Sequence, residues 1–178
     1  MNARSNAIDI MEASPRPFDF EATFRAHYAR LARVIARVIR DPARSEELAV
    51  EVLWKLWRTP AAHGEQAGGW LYRAAVRTGL NELRTRGRVQ RHEQLADATP
   101  GGLNPEQAHA AAQQQEQVRA VLAALDSRQA ELLLLRGSGL SYAEVAAALE
   151  LNPSSVGTLL ARAQQAFRKE YIERYGEQ

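Results

Sequence analysis

Cysteine is absent from all 178 residues, so neither a disulfide nor a thiolate metal site can form. That fits a reducing compartment, and the cytoplasm is the expected location. The four histidines, His27, His63, His92 and His109, lie scattered without ligand spacing, and no metal is expected. No apolar run approaches the roughly 20 residues needed to cross a bilayer, so direct membrane insertion is not expected. Residues 1–17 have no apolar signal core and read as a flexible N-terminal tail. Also missing are a phosphate-cradling glycine loop, a nucleophile paired with a base, and a metal cluster. An enzyme is therefore not expected, nor a cofactor or a small-molecule substrate.

What is present is helical. The hydrophobic fraction of 46% is enough to build cores, and apolar residues recur every three or four positions with no sustained strand-like alternation. Phe20, Phe24, Tyr28, Leu31, Ile35 and Val38 mark one amphipathic helix ending near Asp41-Pro42. A second is expected from about Ser45 to Trp57, with Glu46 and Glu47 in its first turn. Pro60 and residues 64–69 read as a loop, and a third helix starts at about Trp70. The segment 89–104 reads as a linker, the stretch 96–105 holding two Pro and two Gly. Beyond it, Asn104-Pro105 opens an Ala/Gln-rich helix, while Asp126 with Gln129 and Ser141 with Glu144 have capping-box spacing. The last helix runs from Asn152-Pro153 to about Tyr175. The expected fold class is all-α: two small helical domains, 18–88 and 105–176, joined by a flexible linker, the second a helix-turn-helix.

Three helix faces carry the functional reading. On the last helix, Val156, Leu160, Ala163 and Phe167 form the core side, and Ser154, Ser155, Thr158, Arg162 and Lys169 lie opposite. Small polar residues at a helix N-terminus with cations further along suit entry into a DNA major groove. On the helix from Trp70, Tyr72, Val76, Leu80 and Leu83 are core, while Trp70, Arg73, Arg77, Asn81 and Arg84 lie on the other side. Net charge is only +2, yet six Arg and a single acid lie between residues 73 and 91, a cluster suited to phosphates. An aromatic ring beside guanidinium groups can stack on unpaired bases; it can equally serve as a lid over the preceding loop. On the Ser45–Trp57 helix, Glu47, Val50, Glu51 and Trp54 stand outside the buried arc, as at a partner interface.

In this order the parts resemble the extracytoplasmic-function (ECF) group of bacterial sigma factors, in the sigma-70 family. The motifs are Glu46 to Trp57, Trp70-Leu71-Tyr72-Arg73-Ala74-Ala75, and Leu122 to Gln129 leading into Ser141 to Ala163. The resemblance implies a first domain that docks on RNA polymerase core and opens the promoter −10 element. It implies a second that reads the −35 element as duplex. Glu47, Val50, Glu51 and Trp54 would meet the clamp helices of the largest subunit, and the polymerase flap would be a further contact. It permits an anti-sigma protein as a partner. Some positions depart from the pattern: Val50 stands where Gln is usual, and Arg77 and Asn81 stand where Asn and Asp are common. Gly68-Gly69 replaces bulkier residues, and Gly157 and Leu159 stand where basic residues are usual. The alternatives are a stand-alone helix-turn-helix regulator binding operator DNA as a dimer, or a protein-binding adaptor.

Overall fold

A computed structural model describes residues 18–94 and 106–176, which form seven α-helices and one 3₁₀ turn. The N-terminal tail expected at 1–17 and the start signal at Asn104-Pro105 lie outside the described residues. Helix α1 (Phe20–Ile39) is capped by the Asp19 carboxylate, which accepts from the Ala22 amide, and ends at Arg40 in the left-handed conformation. Helix α2 (Pro42–Trp57) starts three residues earlier than the sequence signal at Ser45. Asp41 is a better cap, accepting from the Arg44 amide at 3.0 Å, and Pro42 suits the first helical position. Ser45 is instead buried, with its hydroxyl bonded to the Asp41 carbonyl at 2.6 Å.

A 3₁₀ turn (Pro60–Ala62) and Gly64, at φ +97°, lead into helix α3 (Ala67–Gln94). This helix starts before the expected Trp70, absorbs Gly68 and Gly69, and runs through Gln94, past residue 88. Helices α1, α2 and α3 enclose Leu31, Ile35, Leu53, Leu56, Leu71 and Leu80, all at most 2% exposed. At Gly79 the approach of α1 is close: a Cβ there would sit 3.3 Å from Val38 Cβ.

Helix α4 (Glu106–Ala124) is followed by α5 (Ser127–Gly137), capped by Asp126 accepting from the Arg128 and Gln129 amides. Helix α6 (Tyr142–Leu149) begins with both arms of the Ser141/Glu144 capping box in place. A short turn through Glu150, in the left-handed conformation at φ 54°, leads to α7 (Pro153–Tyr175), capped by Asn152. Leu132, Leu135, Leu140, Leu149, Val156 and Leu160 fill the space between α5, α6 and α7.

The two groups of helices are packed together. Helix α3 contacts α4, α5 and α6 as well as α1 and α2, and the buried apolar residues of both groups form one continuous cluster. Among the described residues, no helix is long and apolar enough to cross a membrane.

Asp41 couples this packing to pH. The Arg44 amide and then the Arg86 guanidinium hold its carboxyl below the usual 3.8. The unfolded chain therefore takes up this proton first as pH falls, and the stabilisation, complete well above pH 4, is lost through the folded pKa. Asp41→Asn keeps a cap acceptor but drops the charge. Its melting temperature should fall less steeply than the parent's between about pH 5 and pH 3, followed by circular dichroism.

Candidate nucleic-acid interface

The face of α7 is open to solvent. Ser154, Ser155, Thr158, Arg162 and Lys169 are all exposed, while Val156, Leu160 and Ala163 on the other side are buried. Phe167, expected in the core, is half-buried at its edge. Asn152 accepts from the Ser154 amide and hydroxyl, fixing the first turn so that the Ser155 and Thr158 hydroxyls lead. The helix N-terminus adds positive potential toward an anionic backbone. Lys169 lies 3.7 Å from Glu173, and among the described residues Arg162 makes no ion pair. The Gly157 position faces the Tyr142 ring, where a Cβ would lie 3.6 Å from Cε2.

The face of α3 differs from its expected exposure. Trp70 is half-buried against the core, and Asn81 and Arg77 remain exposed, but the arginines are engaged. Arg73 Nη1 lies 2.6 Å from Glu150 Oε1, and Arg77 Nε donates to Glu131 Oε1 at 2.6 Å. Arg84 donates to the carbonyls of Ala123 and Leu125 and to the Ser127 hydroxyl, each at 3.0 Å. Every one of these acceptors belongs to α4–α6 or the turns around them. Sequence reasoning missed them because they lie 39 to 77 residues away. One signal was readable: Glu131 is an acid set among Ala130, Leu132 and Leu135, on the apolar side of α5. Its side chain is 2% exposed, and Oε2 has no hydrogen-bond partner. A carboxylate so placed requires a cation.

Gly69 is a second missed residue. A Cβ there would come within 3.3 Å of the backbone nitrogen and Cα of Ala148, so glycine lets α6 rest directly on the start of α3. Nearby, His27 has its pKa lowered, first by burial and then by the charge of Arg30. The Arg30 guanidinium lies 4.8 Å above the Tyr72 ring.

The α2 face is accessible. Trp54 is 47% exposed, and Glu47 and Glu51 point outward, drawn together by Arg44 at 2.9 and 3.4 Å. Val50 is half-buried and lines a cleft of about 550 Å³ with Glu51, Trp54, Lys55 and Arg58. The patch extends to Phe20 of α1, which tilts against Trp54 and, at the border of the arc, Trp57, these two meeting edge to face at 5.2 Å. Among the described residues no three potential metal ligands cluster.

Comparison with known proteins finds two family regions on the chain. Residues 23–89 match the family model for sigma-70 region 2, and residues 115–166 match that for sigma-70 region 4. The ECF RNA polymerase sigma factor SigK of Mycolicibacterium vanbaalenii is 28% identical over 159 residues, covering 84% of this chain and 80% of that protein. The ECF RNA polymerase sigma factor SigK of Mycobacterium ulcerans is 29% identical over 147 residues, 78% of each. A solved structure of the sigma factor RpoE in complex with the anti-sigma factor NepR from Bartonella quintana covers 85% of this chain and 96% of that chain. Its sequence identity is 20% and its TM-score 0.49.

The Arg77–Glu131 pair is testable by a double-mutant cycle. Arg77→Ala strands a buried carboxylate, so it should cost more alone than in the Glu131→Ala background. Urea unfolding should give a coupling of about 1–2 kcal/mol.

Proposed function

The chain belongs to the sigma-70 family, in its ECF group, and is a promoter-specific transcription initiation factor; from that premise we propose how its surfaces divide the work. The observation that carries the reading is the order of two matched regions on one chain, region 2 before region 4. That order displaces the reading as a stand-alone operator-binding dimer. The protein supplies recognition and strand capture in the cytoplasm and has no catalytic step of its own; the polymerase supplies the chemistry. We assign residues 18–88 to polymerase docking and the −10 element, 89–104 to the tether, and 105–176 to the −35 element.

The α2 face docks on the core enzyme. Glu47 and Glu51 offer charge to a basic partner, and Trp54, with Val50 at the cleft, offers apolar area that water does not hold in place. A second contact, for the polymerase flap, is the apolar groove of about 280 Å³ lined by Val118, Leu122, Leu133, Leu134 and Phe167. The −35 duplex is met by α7. Ser154, Ser155 and Thr158 reach base edges or phosphates from the first turns, while Arg162 and Lys169 neutralise the backbone. At the −10 element, Trp70 stacks on or wedges beside an unpaired base, Asn81 offers an amide, and Arg73, Arg77 and Arg84 hold the phosphates on either side.

Charge reversal Glu51→Arg should weaken binding to core polymerase about tenfold or more while the circular dichroism spectrum is unchanged. Arg162→Ala should leave core binding intact and lower run-off transcription, with a shallower salt dependence of promoter binding. Unchanged core affinity in the first variant would remove the docking face from the account.

A further inference from the structure

Helix α1 carries a second row of side chains that the promoter and the polymerase do not use. Val34, Ile35, Val38 and Ile39 turn inward, so Arg33, Arg37 and Arg40 share the opposite, exposed side of the helix. From Arg33 to Arg40 the row rises about 10 Å. With Arg119 of α4 it lines a cleft of about 610 Å³, and among the described residues lining that cleft none is acidic.

The guanidinium groups are oriented without being neutralised. Arg33 Nε donates to the Ala29 carbonyl at 3.2 Å, and Arg37 Nη1 donates to the Gly137 carbonyl, at the end of α5, at 2.9 Å. Each keeps further N–H groups to donate. Among the described residues, Arg33, Arg37 and Arg40 form no ion pair, whereas on α3 Arg73 and Arg77 both meet carboxylates. Arg119 differs from the other three: its side chain is 14% exposed and paired with Glu116 beside it. The cleft is not purely cationic. Val118 and Leu122, which also line the apolar groove assigned to the flap, add apolar surface, and Gln115, about one turn before Arg119, adds an amide.

We propose that this cleft binds a nucleoside polyphosphate, with its phosphates on Arg33, Arg37 and Arg40 and its base against Val118 and Leu122. Guanidinium forks donate to phosphate oxygens in pairs, and three forks on successive turns match a chain of phosphates better than a single one. A flat, rigid ring covers apolar surface with little loss of conformational freedom. Gln115 both donates and accepts, as the edge of a base or a ribose hydroxyl requires. The volume lies within the roughly 300–1,000 Å³ of small-ligand sites. A duplex fits less well, because DNA is met by a protruding helix such as α7, not by a recess whose walls belong to two helices. The ligand joins α1 to α4, so its binding stabilises the contact between them.

The test is calorimetric titration of the full chain, without magnesium and at about 0.15 M salt, with ATP, GTP, AMP and inorganic tripolyphosphate. At least one triphosphate should saturate a single site, about tenfold or more tighter than AMP or tripolyphosphate. Arg33→Gln/Arg40→Gly should lower that affinity about tenfold or more. Arg40 holds a left-handed backbone, φ 53°, that glycine adopts without strain, so the second change spares the fold. Arg25→Gln/Arg168→Gln removes the same charge from exposed positions elsewhere and should bind as the parent does. The nucleotide should raise the melting temperature of the parent and of this control but not that of the cleft variant. Equal losses in the two variants reduce the binding to general attraction and overturn the proposal. Tripolyphosphate binding as tightly as the nucleotides overturns it too, as does the lack of saturable binding by any probe. If no nucleotide saturates and only the cleft variant loses affinity for a mixed-sequence duplex, the cleft is a DNA contact and the proposal falls.

Discussion

A carboxylate taken out of water must be given a cation, and Glu131 obliges the two ends of this chain to meet. With its side chain 2% exposed and one oxygen held at 2.6 Å by Arg77, it ties α5 to the middle of α3. Helix α3 already seals the first group of helices through Leu71, Val76 and Leu80. One helix therefore faces two different bodies: apolar toward α1 and α2, and toward α4, α5 and α6 joining arginine contacts to the apolar cluster that both groups share. Burial holds both contacts and is scarcely affected by salt; the arginine contacts are weakened by salt and competing anions.

The three faces proposed to meet polymerase and DNA differ in how far the structure leaves them free. On α7 the polar side chains are exposed and held ready by the Asn152 cap. On α2 the acids are exposed but gathered around Arg44, whose pKa they raise, chiefly through the hydrogen bond it donates to Glu47. Under the proposed docking, a basic partner enters by exchange rather than by filling an empty site. On α3 the arginines are spoken for. This gradation follows the electrostatics: where a face carries unmatched charge of one sign, the chain supplies the other.

Much of this was legible from one sequence because helices announce themselves locally. The Asp126, Ser141 and Asn152 caps, the buried arc of α2 and the core side of α3 all follow from spacing within a few residues. The start of α2 was missed because Ser45 and Asp41 both look like caps, and only the bond from the Arg44 amide separates them. The partners of Arg73, Arg77 and Arg84 were not legible. An arginine on a helix surface has the same local pattern whether it faces water, phosphate or a carboxylate 54 residues away. Gly69 was visible as an oddity, but its reason, the Ala148 backbone, exists only once α6 is folded against it.

The ends of α3 and α4 also set a length. Between Gln94 and Glu106 lie eleven residues, which fully drawn out reach no further than roughly 40 Å. That is the rise of about a dozen base pairs. The protein thus contains a ruler: how far these two helix ends can part is bounded by the count of peptide bonds between them.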